Sequence, residues 1–154
     1  MAGIVLAGLI GMVAGLRTMT APAAIAWAAH LGWISLDGSW LAFLGYRSTA
    51  VILTLLALAE FVTDTLPATP SRTVPIQFAA RIASGTLCGG AIGTGLGQPV
   101  AGALAGAAGA VIGTLGGARA RAWMAASFGS DRPAAFIEDA VAIAGAALIV
   151  LALK

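Results

Sequence analysis

The sequence is short of charge, of cysteine and of histidine, and each shortage removes a class of protein. Only 9% of its 154 residues are charged while 60% are hydrophobic, whereas an ordinary soluble domain carries roughly 25% charged residues. With a mean hydropathy of +0.99, the chain does not suit water and is expected to be an integral membrane protein, partnered first by the lipid bilayer. One cysteine, Cys88, excludes an intrachain disulfide and offers a metal no second thiolate. It reads as a small packing residue. The one histidine, His30, falls near an expected membrane interface, away from the acids, so neither a histidine metal cluster nor a Ser-His-Asp arrangement can be assembled. A net charge of +2 is too small to imply a nucleic-acid partner. The glycine-rich stretches lack the Lys-Ser/Thr ending of a phosphate loop. At about 20 residues per crossing, five or six helices fill the chain and leave no room for a soluble catalytic domain. No enzyme activity, cofactor or metal is expected.

What is abundant is small: 37 alanines and 21 glycines. The fold class implied is all-α, a single polytopic bundle of close-packed transmembrane helices. The longest uncharged run, Ile82 to Ala118, is 37 residues. As one helix it would be about 55 Å long against a hydrocarbon core of roughly 30 Å, so it must be two. The break belongs at Gly95-Leu96-Gly97-Gln98-Pro99. Five spans are expected, near residues 3–33, 48–66, 77–96, 100–118 and 133–153, with no cleaved signal because the apolar start has no basic flank. The first is too long for one crossing and holds Arg17, Thr18, Thr20 and Pro22 at its centre. It is taken as one broken, tilted helix in preference to a re-entrant hairpin. With five spans, the positive-inside rule places the N-terminus in the cytoplasm with the loops of Arg72, Arg119, Arg121 and Arg132. Trp27, Trp33, Trp40 and Tyr46 suit an aromatic belt at the other interface.

Gly85, Gly89, Gly93 and Gly97 recur every four residues, and Gly102, Gly106, Gly109, Gly113 and Gly116 at four and three. Each set lines one helix face. Such stripes let backbones touch, which holds a bundle or a homo-oligomer together where lipid supplies no hydrophobic drive. A shift of 98 positions superposes Ala7, Gly8, Gly11, Val13 and Gly15 on Ala105, Gly106, Gly109, Val111 and Gly113. This hints at an internal repeat, a device common in transporters in inverted form.

The scarce charges are the informative residues. Arg17 lies mid-span, where a basic residue costs about 2.5–3.5 kcal/mol. It needs an acid, a polar cavity or an anion. Thr18, Thr20 and Pro22 suit a broken helix and a polar pocket at that depth. Glu60 and Asp64, one helical turn apart, share a face and are candidate partners for Arg17 and Arg81. Glu138 and Asp139 lie at the same end of the last helix, and Arg72 sits in a Thr69-Pro70-Ser71-Arg72-Thr73 turn suited to a phosphate headgroup. Three readings use these residues. A transporter or channel-like protein, working as a homo-oligomer, would bind a small anion at Arg17 and a proton or cation at Glu60 and Asp64. A structural protein would use them as an ion-pair network fixing helix register. Lipid-headgroup handling would use the arginines.

Gly15-Leu16-Arg17-Thr18, Glu60 and Asp64 with Leu66-Pro67, Thr69-Pro70-Ser71-Arg72, Arg81, Arg119, Arg121 and Glu138-Asp139 together resemble a family of small bacterial inner-membrane proteins, the 4126 family of domains of unknown function. The resemblance runs over nearly the whole chain. It implies an inner-membrane location and names no substrate. Sequences of this look often have a basic residue after the aspartate, where this chain has Thr65, which removes a local ion pair there.

Overall fold

The computed structural model describes residues 1–64 and 73–154. Among these there are helices and turns and no strand: α1 (Ala2–Leu16), α2 (Thr20–His30), α3 (Arg47–Thr63), α4 (Pro75–Gly95), α5 (Pro99–Phe128) and α6 (Asp131–Leu151), with a 3-10 turn at Ala42–Gly45 before α3. Two of them, α5 and α6, are long and apolar enough to cross a membrane, and α1 is apolar but shorter.

The boundaries follow from local chemistry. Proline cannot donate to the helix ladder and its ring collides with the carbonyl four residues earlier, so Pro22 forbids a helix running unbroken from Gly15. Arg17 is accordingly extended, at φ −139° and ψ 118°. Pro22 is tolerated in α2 because it falls in the first turn, where N–H groups lack partners within the helix. Between α4 and α5, Gly97 adopts φ +71° and Pro99 opens the next helix. α5 closes on Gly129 at φ +66°, the left-handed stop that glycine takes without steric cost.

The first expected span is corrected by the packing. Gly3, at the start of α1, lies against the Leu96 side chain, and Gly95 lies against Ile34 and Ser35 just past α2. Both outer ends of the α1–α2 pair therefore sit at the C-terminal end of α4. Their junction, by contrast, meets Arg81 and Ser84 near the other end of α4. The chain reverses at Arg17. The pair is a hairpin, not one broken helix continuing in the same direction, and residue 3 lies at the opposite end from Arg121. An unbroken apolar stretch specifies two helices equally well in either direction, and tertiary contacts decide.

α4 and α5 run antiparallel with their backbones touching. A Cβ on Gly89 would stand 2.8 Å from the Cα of Gly106, one on Gly93 2.9 Å from Gly102, and one on Gly85 2.7 Å from Ala110. On its neighbouring face α5 meets α1, to which it runs parallel: Gly109 and Gly113 would each collide with Met12 backbone at 2.9 Å, and Gly15 with Thr114 at 2.6 Å. The segments related by the 98-residue shift are thus parallel packing partners, an arrangement unlike an inverted repeat. Gly85, Gly89, Gly93, Gly102, Gly106, Gly109 and Gly113 are thus occupied within the chain, whereas Gly97 and Gly116 meet nothing within 4 Å. Cys88 is fully buried.

Candidate functional site

Breaking a helix inside a bundle exposes carbonyls at one end and N–H groups at the other, and each needs a partner. Here other helices supply them. The Arg81 guanidinium donates to the carbonyls of Gly15 at 3.0 Å and Leu16 at 2.7 Å, capping the negative end of α1. The Glu60 carboxylate accepts from the N–H of Thr18 at 2.7 Å and of Met19 at 2.8 Å, capping the positive end of α2. The hydroxyl of Ser84 donates to the carbonyl of Thr18 at 2.6 Å, and that of Thr114, 2.8 Å from the Ala110 carbonyl of its own helix, also lies 3.2 Å from the carbonyl of Gly15. Arg81 and Glu60 themselves stand 4.0 Å apart.

Arg17 occupies the centre. Its side chain is wholly buried and forms ion pairs with Asp64, following α3, and Asp139, on α6. Its guanidinium carbon lies 5.5 Å from the ring centre of Phe61. Three separate parts of the chain are thereby tied at one atom group. The two carboxylates reach it from the end of α3 and from α6, and the guanidinium keeps no exposed surface.

Glu138 and Asp139, adjacent in sequence, diverge. Asp139 turns to Arg17, whereas Glu138, 4% exposed, meets Arg121 at 3.3 Å. Arg121 also donates to both oxygens of Asp131, at 2.9 and 2.5 Å. That fork raises the Arg121 pKa further above its usual value, with the desolvation around it opposing. Sequence reasoning missed this second knot and the role of Thr114. Gly129 was its signal: a stop that folds α6 back along α5 brings positions 121 and 131 together.

Thr20 is buried and its hydroxyl has no hydrogen-bond partner among the described residues. Arg72 and its turn lie outside those residues. His30 meets the carbonyl of Gly45 at 3.1 Å, far along α2 from the junction. Among the described residues no group of histidine, cysteine and acid side chains could hold a metal ion.

The chain matches the family described as Domain of unknown function (DUF4126) over residues 4–153. It belongs to that family. No curated protein and no solved structure matches it. Membership in DUF4126 brings no chemistry to the Arg17 junction, which has to be interpreted from its own geometry.

Proposed function

We propose that this chain is a multi-pass membrane protein in which α3, α4, α5 and α6 cross the bilayer, the α1–α2 hairpin is re-entrant, and the Arg17 junction is a register-fixing ion-pair lock at the hairpin's tip. The observation that carries this reading is Arg17: fully buried, at the point of chain reversal, and paired with acids from two other parts of the chain. Irregular backbone is tolerated at membrane depth only where protein covers it, and here side chains of α3 and α4 meet the carbonyls of Gly15, Leu16 and Thr18 and the N–H groups of Thr18 and Met19. The large apolar side chains support the bilayer: Leu55, Leu58 and Val62 along α3, and Val141 and Leu148 along α6, face outward. At about 45 Å, α5 would project beyond the hydrocarbon core and carry Arg119 and Arg121 past its edge.

The positive-inside rule then puts the Arg119, Arg121 and Arg132 end in the cytoplasm and residues 3 and 154 on the other side, reversing the expectation for the N-terminus. A bacterial inner membrane fits this reading. Single cysteines introduced at Ser35 and Arg119 in a Cys88→Ala background test it with an impermeant thiol reagent on intact cells. Ser35 is expected to react from outside together with a cysteine at Gly3, and Arg119 only after lysis. A cysteine at Gly3 reacting with the Arg119 set would overturn the re-entrant hairpin.

A second reading, movement of a small ion or solute, has its own support. Half-helix ends meeting charged groups are a feature of transporters, and Glu60, Asp139 and Asp64 keep 12, 13 and 16% of their side-chain surface accessible. In that case the lock is a closed state that must open. Flux through reconstituted protein, abolished in a well-folded Glu60→Gln variant, distinguishes it from a static lock. Self-association and headgroup binding belong with this second reading.

A further inference from the structure

Glu60, Phe61 and Asp64 all come from one end of α3, and together they cover the junction. Glu60 holds the N–H groups of Thr18 and Met19, one on each carboxylate oxygen, at 2.7 and 2.8 Å. Phe61 lies over Arg17, its ring centre 5.5 Å from the guanidinium carbon, and Asp64 pairs with that guanidinium. The helix that carries them is lightly attached. Of its seventeen residues only Ala50 and Ala57 are buried, it packs on α2 and the 3-10 turn, and Leu55, Leu58 and Val62 are exposed along it. Tilting this end of α3 away from α2 withdraws all three covering residues at once.

What they cover suits an anion. The N–H groups of Thr18 and Met19 form the positive end of α2, and Arg81, 3% exposed, stands 4.0 Å from the Glu60 carboxylate that they hold. Arg17 is wholly buried, and its Nε donor has no hydrogen-bond acceptor among the described residues, a costly state that an incoming acceptor relieves. Two arginines and three carboxylates meet here, leaving one negative charge in excess; without Glu60 and Asp64 the excess is one positive charge. A single monoanion restores neutrality. Glu60 itself supplies the template, because its two oxygens take adjacent N–H groups as those of any small carboxylate would, and part of it remains within reach of solvent. We propose that the junction is a binding site for a small monocarboxylate, that Glu60 is its built-in occupant, and that α3 is the lid a ligand carboxylate displaces. The inference rests on the junction being a lock and names what opens it.

Full-length protein in detergent micelles, equilibrated with radiolabelled acetate, tests this. Saturable binding to wild type is expected, with sulfate a weaker competitor than unlabelled acetate. Glu60→Gln keeps the shape and removes the competing charge, so it is expected to bind acetate at least about tenfold more tightly, since affinity is reduced by the fraction of molecules whose internal carboxylate holds the site. Adding Arg81→Gln to that variant should abolish binding. The lid has its own readout: Ala57→Cys, a buried position on α3, in a Cys88→Ala background should react faster with a maleimide in acetate than in sulfate of equal ionic strength. Where the arginine variant does not fold, the labelling decides. No saturable acetate binding by wild type, no gain in Glu60→Gln, or labelling at position 57 that acetate leaves unchanged overturns the proposal. If Arg17→Met is strongly destabilising even so, the lock stands and the carboxylate site alone falls.

Discussion

Helices α1, α4 and α5 are held by the absence of side chains, and α2, α3 and α6 by their presence. In the first group, glycine lets backbone meet backbone and geometry is fixed by steric contact over many residues. In the second, contact is through longer groups: Trp27 donates to Thr54 at 2.9 Å, and the Arg17 ion pairs draw the end of α3 and the middle of α6 to the hairpin tip. The two regions fail differently. A glycine contact is lost by adding one atom, whereas an ion pair is lost by removing a partner and stranding the other charge.

The largest effect is expected at Gly106, which touches both α1 and α4. Its added Cβ would lie 2.9 Å from the Gly89 Cα, where only backbone could give way. Gly106→Leu is predicted to lose more than about 4 kcal/mol and leave little monodisperse protein in size-exclusion chromatography. Next comes Arg17→Met, predicted to cost about 3–5 kcal/mol in reversible unfolding, because it strands Asp64 and Asp139. If it instead unfolds like wild type, the second region is held by packing alone.

Glu60→Ala is smaller and local. It leaves the N–H groups of Thr18 and Met19 without an acceptor, at about 1–3 kcal/mol, and faster amide exchange should appear at the start of α2 while α4 and α5 stay protected. Gly116→Ala should do least. A Cβ there meets nothing within 4 Å, so the variant should match or exceed wild type by up to about 1 kcal/mol, as alanine replaces glycine in a helix. Destabilisation at Gly116 as large as at Gly106 would erase the distinction between packed and open glycines.

How much of this was legible in the sequence differs between the regions. Glycine spacing names a helix face, and the Gly95 to Pro99 break names the turn, because both depend on residues close in the chain. Pro22 and Arg17 likewise mark where α1 must stop. The direction of α2 was not legible, since an apolar segment packs equally well after a reversal or without one. The separation of Glu138 from Asp139, and the Arg121–Asp131 fork, depend on how α6 is set against α5 and α1, which periodicity does not contain. The residues of the junction could be named in advance; how they pair could not.

The lock is tested most directly by a thermodynamic cycle at its centre, comparing Arg17→Met, the pair Asp64→Asn with Asp139→Asn, and all three together. If Arg17 is the tie between the regions, the single arginine change costs about 3–5 kcal/mol and the triple variant recovers most of it, because no charge is left stranded. Costs that merely add, with the triple variant less stable than Arg17→Met, would contradict the account.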